Sequence, residues 1–232
     1  MRNVENVLGL EGDWRLNFML TWDLVGEKFY ETGISKGVFY DANGMGASWN
    51  GLVSIDENVD TEVQPVHFDG VKINDIVTVG DFSATMRAYT YPDVFLPYEG
   101  IVETEYGFQV TEQPYGRFGL SYKTQIGDDV QGLDFNYKLN VLYNLTAVVS
   151  TKSYQTMALE SEPLEFEWNL TSIPEDIDGY RPTARLIFDT RKMDPGVLSE
   201  IEAVLYGTDI MEAYLPPMRE FIAMIRNWVL TP

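Results

Sequence analysis

Cysteine is missing from the chain altogether, and histidine occurs once, as His67. The first absence excludes disulfides, thiolate nucleophiles and cysteine-bound zinc, and the second excludes any site that needs two imidazoles. Positive charge is scarce too: 16 Lys and Arg against 36 Asp and Glu leave a formal net charge of −20 over 232 residues. Such a surface does not grip a phosphate backbone, because that binding works by cations displacing condensed counterions. No apolar run approaches the roughly 18 residues of a membrane span. Met1 to Gly12 has no apolar stretch behind its one early arginine. These signals lead us to expect neither membrane insertion nor Sec export. Absent as well are a Walker-type glycine loop, a GxSxG elbow, an SxxK pair and an HExxH helix. No catalytic residue, cofactor site or metal site is therefore expected.

What is present is a globular composition, 45% hydrophobic and 22% charged, in a chain long enough for a sizeable core. The acid is unevenly spread, with 19 acidic against 6 basic side chains in residues 1–116 and 17 against 10 in residues 117–232. No Lys or Arg interrupts Asp41, Asp56, Glu57, Asp60, Glu62 and Asp69, nor Asp93, Glu99, Glu103, Glu105 and Glu112. Each run reads as a solvated face by itself; clustering on one assembled surface is the alternative.

Between Gly, Pro, Asn and Asp punctuation the chain alternates β-branched or aromatic residues with polar ones, so it reads as mainly β. The clearest case is Leu164 to Thr171, with Leu164, Phe166, Trp168 and Leu170 inward and Glu165, Glu167, Asn169 and Thr171 outward. Phe82 to Tyr91 likewise puts Phe82, Ala84, Met86 and Ala88 opposite Ser83, Thr85, Arg87 and Tyr89. Further strands are expected at Gly37–Tyr40, Leu52–Ile55, Phe118–Ile126, Tyr137–Val149 and Thr183–Asp189, with a hairpin turn at Asp69-Gly70. This spacing implies a β-sandwich or barrel.

After Arg191 the period becomes helical. Asp194 caps, Pro195 starts, and Leu198, Ile201 and Leu205 share a face before Gly207. Pro216-Pro217 opens a second helix with a packing stripe of Met218, Phe221, Ile222, Ile225, Trp228 and Val229. No linker divides the chain, so residues 1–232 read as one domain with 209–232 as a helical extension. The stretches Asp41–Gly51 and Pro92–Gly116 read as long loops, a length associated with function.

Asp41 to Gly46 begins like a calcium loop, but Met45 takes a ligand position and Leu52 stands where the bidentate glutamate belongs, so it reads as a turn. Asp128, Asp129 and Asp134 are closely spaced acids in a glycine-containing turn, read as solvated. His67 lacks a Ser or Cys partner. Asn144-Leu145-Thr146 and Asn169-Leu170-Thr171 match the glycosylation spacing inside expected strands and read as chance. Among so many acids only geometry would select a hydrolytic carboxylate pair.

Several segments in order carry a resemblance: GEKFYETGISKGVFYD (Gly26–Asp41), WNGLVSI (Trp49–Ile55), DFSATMRAYTYPDVF (Asp81–Phe95), FGLSYKTQIGDD (Phe118–Asp129), YKLNVLYNLTA (Tyr137–Ala147), KSYQTM (Lys152–Met157), and RPTARLIFDTRKMDP with VLYGT (Arg181–Thr208). Together they resemble the major tail tube protein of long-tailed actinobacteriophages. The parts before Gly26, with Trp14 and Trp22, and beyond Tyr214 resemble it least. The resemblance implies a β-sandwich subunit with a packed helix that forms hexameric rings, closed into a ring-shaped β-barrel and stacked into the tube between capsid and tail tip. It also implies a virion protein assembled in the host cytoplasm, with itself, the tape measure protein, the tail tip and the tail terminator as partners. The resemblance implies, too, that viral DNA passes through the tube without specific binding. An acidic lumen suits such a conduit, since carboxylates keep DNA hydrated and sliding.

Two site expectations follow. The Asp41–Gly51 loop, with Asp41, Gly44, Gly46 and the large surface of Trp49, together with the segment on to Lys72, is expected to contact the adjacent ring. Glu165, Glu167, Asn169 and Thr171 are expected to line the pore, with Arg87 alongside and paired to a carboxylate. The reading from another class is an acidic β-sandwich carbohydrate-binding module, favoured by the aromatic content and by Ser48-Trp49-Asn50-Gly51.

Overall fold

The computed structural model describes residues 20, 22–105, 107–152, 154, 156 and 163–229. Among the described residues ten strands and two α-helices follow one another as β1 (Tyr30–Tyr40), β2 (Gly46–Trp49), β3 (Leu52–Phe68), β4 (Val71–Ala88), β5 (Val102–Glu105), β6 (Phe108–Val110), β7 (Phe118–Asp128), β8 (Gly132–Thr151), β9 (Phe166–Ser172), β10 (Arg185–Asp189), α1 (Pro195–Tyr206) and α2 (Met218–Val229). The protein is mainly β.

One antiparallel sheet runs β2-β1-β7-β8-β9-β4-β3, with β10 also paired to β8. Strand β8 is the hinge of the design. Its residues 138–142 pair with β10 and its residues 145–151 with β9, both on the edge opposite β7. The sheet therefore divides into a half β2-β1-β7-β8-β10 and a half β8-β9-β4-β3, which fold over one another. Phe39, Phe118, Leu120 and Leu142 from the first half meet Met86, Trp168 and Leu170 from the second in an aromatic-rich core. On the other side of the first half, Val38, Tyr40, Leu139, Val141 and Tyr143 meet Val197, Ile201 and Leu205 of α1 and Met218 and Phe221 of α2. Three layers result, and strands covered on both faces, such as β7 at 118–123, are buried residue after residue.

An irregularity makes this possible. Leu139, Val141 and Tyr143 face the helices, yet beyond Asn144 it is Leu145 and Ala147 that face the inter-sheet core. Odd positions thus change sides, which requires one extra residue. Between the pairs Leu120↔Leu142 and Phe118↔Leu145, β8 advances three residues against two of β7, and Asn144 sits there at φ 51.

The helix starts as its capping residues require. Asp194 accepts a hydrogen bond from the Gly196 amide at 2.7 Å, Pro195 opens α1, and Gly207 ends it. Val197 joins Ile201 and Leu205 on the buried face, while Leu198 is only half-buried. In α2, Met218 and Phe221 are buried and Ile225 packs beside them. The side chains of Trp228 and Val229, and the whole of Trp14, lie outside the described residues.

The expected long loop Pro92–Gly116 is not structureless. It contains a 3₁₀ segment, Asp93–Glu99, and the separate two-stranded sheet β5-β6. The expected strands Leu52–Ile55 and Phe82–Tyr91 fall at the inner ends of much longer ones, the second stopping at Ala88 and leaving Tyr89 to Tyr91 outside the strand. Residues 61–78 escape the period-two reading because both their faces meet solvent, so no alternation is imposed on them.

Candidate assembly surfaces

The second half-sheet packs its inner face on the core and leaves its outer face open. Register places Asp56, Thr85, Asn169 and Val148 in one row across β3, β4, β9 and β8, and Asn58, Ser83, Thr171 and Thr146 in the next. All the expected pore residues meet here: Glu167, Asn169 and Thr171 on β9, Arg87 opposite Glu167 on β4, and exposed Glu165 just before β9. Arg87 Nε donates to Glu167 Oε2 at 2.8 Å, and its Nη1 lies 3.5 Å from Asp56 Oδ2. The hydrogen bond from Arg87 holds the Glu167 carboxyl below the usual range, and Glu167 in turn raises the guanidinium. Arg87 therefore finds its carboxylates within its own subunit, and the face stays net negative through Asp56, Glu165 and Glu167. Asp56, Ser83, Thr85 and Thr146 share this face only by cross-strand register, and no local motif marks them.

Both edges of this half are open among the described residues. Strand β3 ends the sheet, and β8 beyond Leu145 has β9 on one edge only. Past the body, β3 and β4 continue alone as a ribbon from Thr61 to its tip at Asp69-Gly70, roughly 25 Å at about 3.3 Å per residue. Asp69 at φ 48 and Gly70 at φ 78 form the expected two-residue turn, both left-handed as a type I′ turn needs. Val63, Phe68, Val71, Ile73, Ile76 and Val77 are exposed on it, Phe68 at 65%. An isolated two-stranded ribbon is marginal in water, and apolar side chains on it call for a partner.

Of the segment expected to contact the adjacent ring, the Asp41–Gly51 part is packed into the fold, while the part from Leu52 to Lys72 holds the outer strand and the tip of the ribbon. Trp49 is 3% exposed, and its indole donates to the Thr90 carbonyl at 2.9 Å and lies edge-on to Trp168. It is a core residue with no surface to offer a neighbouring ring. Asp41 spends its carboxylate on the Asn43 and Met45 amides, both at 2.8 Å, which makes the segment a turn as read. Gly44 and Gly46 serve close approach. A Cβ at Gly44 would lie 2.7 Å from the Tyr214 ring, and one at Gly46 would lie 2.7 Å from Ala213 Cβ. The 213–215 segment covers this turn, hydrogen-bonded to it at Gly46 and Gly44. Burial of Trp49 also takes the ring of Ser48-Trp49-Asn50-Gly51 out of reach of a carbohydrate.

Several acids read as solvated are internal. Glu57 accepts from the Tyr122 hydroxyl and pairs with Arg185, whose other arm donates to Asn140 Oδ1 at 2.8 Å. Glu99, its side chain fully buried, accepts from the Trp168 indole at 2.9 Å and from Lys152 at 3.2 Å. Beside it, burial first and then Glu99 push the Tyr91 hydroxyl up to about 12. Glu202 on α1 holds Lys123, which lies 3.8 Å over the Tyr137 ring and whose ammonium burial pulls down. Asp128 is buried and accepts from the Val130 and Gln131 amides, while Asp129 accepts from Gly26 at 2.9 Å. The Asp134 side chain lies outside the described residues. Asn144 and Asn169 both stand in strands, and His67 is exposed near the ribbon tip.

No protein-family model matches the chain, and no curated protein matches its sequence. Among solved structures it is similar to a chain of the sheath–tube complex of an extracellular contractile injection system (PVC) in the extended state. The two are 11% identical with a TM-score of 0.36, over 66% of this chain and 88% of that one. It is also similar to a chain of the six-fold symmetrised baseplate of the anti-feeding prophage, at 9% identity and TM-score 0.36, over 75% and 100%. A chain of the PVC sheath/tube terminator stands at 13% and 0.34, over 68% and 97%. Likeness at that level establishes neither a family nor a role.

Proposed function

We propose that the chain is a structural, non-enzymatic subunit of a phage tail tube. Copies join edge to edge into hexameric rings, and rings stack into a conduit through which viral DNA passes without specific binding. The observation that carries this reading is the pair of open edges on one four-stranded half-sheet. Strands β8, β9, β4 and β3 alternate in direction, so β3 of one copy and the end of β8 of the next run antiparallel. Repeating that contact continues one sheet, and a sheet that rotates between copies closes into a ring with no edge left over.

Two further features support it. The outer face of that half-sheet is polar and net negative, as a wall that must not hold phosphates requires. The β3–β4 ribbon, an element too exposed to be stable for its own sake, is the stacking element in this reading, and its first strand and tip are the Thr61–Lys72 part of the segment expected to contact the adjacent ring. The tape measure protein, tail tip and tail terminator are then its partners, and the virion is its place after assembly in the host cytoplasm.

Sedimentation over a salt series tests the reading. Rings or tubes are expected to form as salt screens the repulsion between subunits of charge −20, and negatively stained particles should be annular or tubular. A chain that stays monomeric at every salt and protein concentration overturns it.

A further inference from the structure

Helix α2 and the 177–186 segment enclose a groove of about 560 Å³, floored by Ile177, Leu186, Ile222 and Ile225 and rimmed by Arg181 and Arg226. Among the described residues eight cations are matched to a carboxylate, while Lys36, Arg117, Arg181, Lys192, Arg219 and Arg226 form no ion pair, and of these Arg181 and Arg226 stand on the rim of the groove. In a chain carrying 36 acids, two unmatched guanidiniums beside an apolar floor point to an anionic partner with an apolar anchor.

The same chain displays such an element. The β5-β6 hairpin belongs to neither face of the main sheet, its strands are largely exposed, and Phe108 is 66% exposed. Register sets Glu105 opposite Phe108, so a carboxylate stands across from one free phenyl ring, while Glu103, opposite Gln109, accepts from the Gly107 amide at 2.9 Å and remains exposed. None of the hairpin residues lines the groove of its own copy.

We propose that the β5-β6 hairpin of one copy docks in the α2 groove of another, Phe108 on the apolar floor and Glu103 and Glu105 against Arg181 and Arg226. The inference rests on the self-assembling reading above and adds a contact distinct from the β3–β8 edge and from the ribbon. An apolar anchor supplies the burial, and the charge pairs select orientation against a surface that is otherwise mutually repulsive.

The absence of cysteine makes the test direct. Gln109→Cys and Tyr180→Cys chains, both altered at exposed positions and both keeping Phe108, are mixed under assembly conditions and oxidised. A disulfide-linked dimer is expected in the mixture well above the level in either chain alone. Reversing the rim with Arg181→Glu and Arg226→Glu should weaken self-association at least about tenfold, as should Glu103→Arg with Glu105→Arg. Combining all four substitutions should restore it. A parent chain that assembles while the reversed variants assemble equally well overturns this contact and leaves the tube reading standing. Cross-linking of Tyr180→Cys to Phe68→Cys in place of Gln109→Cys also overturns it, by giving the groove to the ribbon. A parent that never assembles overturns the tube reading and this contact together.

Discussion

Trp49→Ala is expected to lower the unfolding free energy by about 3–5 kcal/mol, the range for removing a large aromatic from a packed core. The ring lies 4.7 Å from Phe95 and 5.7 Å from Trp168, and its indole bond to Thr90 goes with it. Urea denaturation followed by far-UV circular dichroism checks this; an unchanged midpoint would show that the pocket tolerates the loss. Glu99→Ala should cost about 3 kcal/mol in the same assay, because the Trp168 indole and Lys152 lose their acceptor inside an apolar shell. The tyrosines give a pH test. Burial raises Tyr40, Tyr122, Tyr137, Tyr143 and Tyr206 above the ordinary 10.0, Glu57 and Glu202 adding to it at Tyr122 and Tyr137. A folded-state value above the unfolded one means stability that is whole below pH 10 and is lost as pH rises past it. The phenolate absorbance of these rings should therefore appear together with unfolding on an alkaline titration. Phenolate formation while the fold persists would contradict their burial.

At the scale of the element, the bulge in β8 and the ribbon make opposite demands. Asn144→Val forces a β-branched side chain to φ 51 and removes the amide bond to Glu175, at an expected cost of about 2 kcal/mol or more. Asn144→Gly should cost less, since glycine meets no Cβ penalty there. Calorimetric melting of the two variants side by side tests whether the change of face depends on that backbone. The ribbon, by contrast, buries little. Replacing residues 62–78 with Asn-Gly should leave the melting transition near that of the parent while abolishing stacked tubes in micrographs. Tubes of normal length from that variant would take the ribbon out of the inter-ring contact.

For the whole molecule the deciding quantity is the sign of the open face. Glu167 is committed to Arg87, so a charge test belongs at its neighbours. Glu165→Lys with Asn169→Lys should permit assembly yet slow genome ejection, because every ring then presents several unpaired cations to passing phosphates. Ejection at the parental rate from particles with intact tubes would put this face on the outside of the tube. Acidity has a second effect: if copies assemble as proposed, a chain of charge −20 resists association, and the proposed contacts must outweigh a repulsion that salt reduces.

What the sequence determined alone was whatever depends on near neighbours. Alternation assigned Trp168, Leu170, Ala84 and Met86 to one face and Glu167, Asn169, Thr171 and Arg87 to the other. Asp194-Pro195 and Gly207 bounded a helix, and Asp69-Gly70 made a turn, because caps and turns are satisfied within a few residues of chain. Tertiary structure decided the rest. Trp49 is interior because Thr90 and Trp168, far along the chain, close over it. Glu57 and Glu99 are internal because Arg185 and Lys152 reach them from other strands. Asn144 reverses the facing of β8 through one extra residue, which a strict two-residue period cannot register. The ribbon stayed hidden for the converse reason: with solvent on both faces, nothing selects alternation, and only pairing between β3 and β4 reveals two strands there.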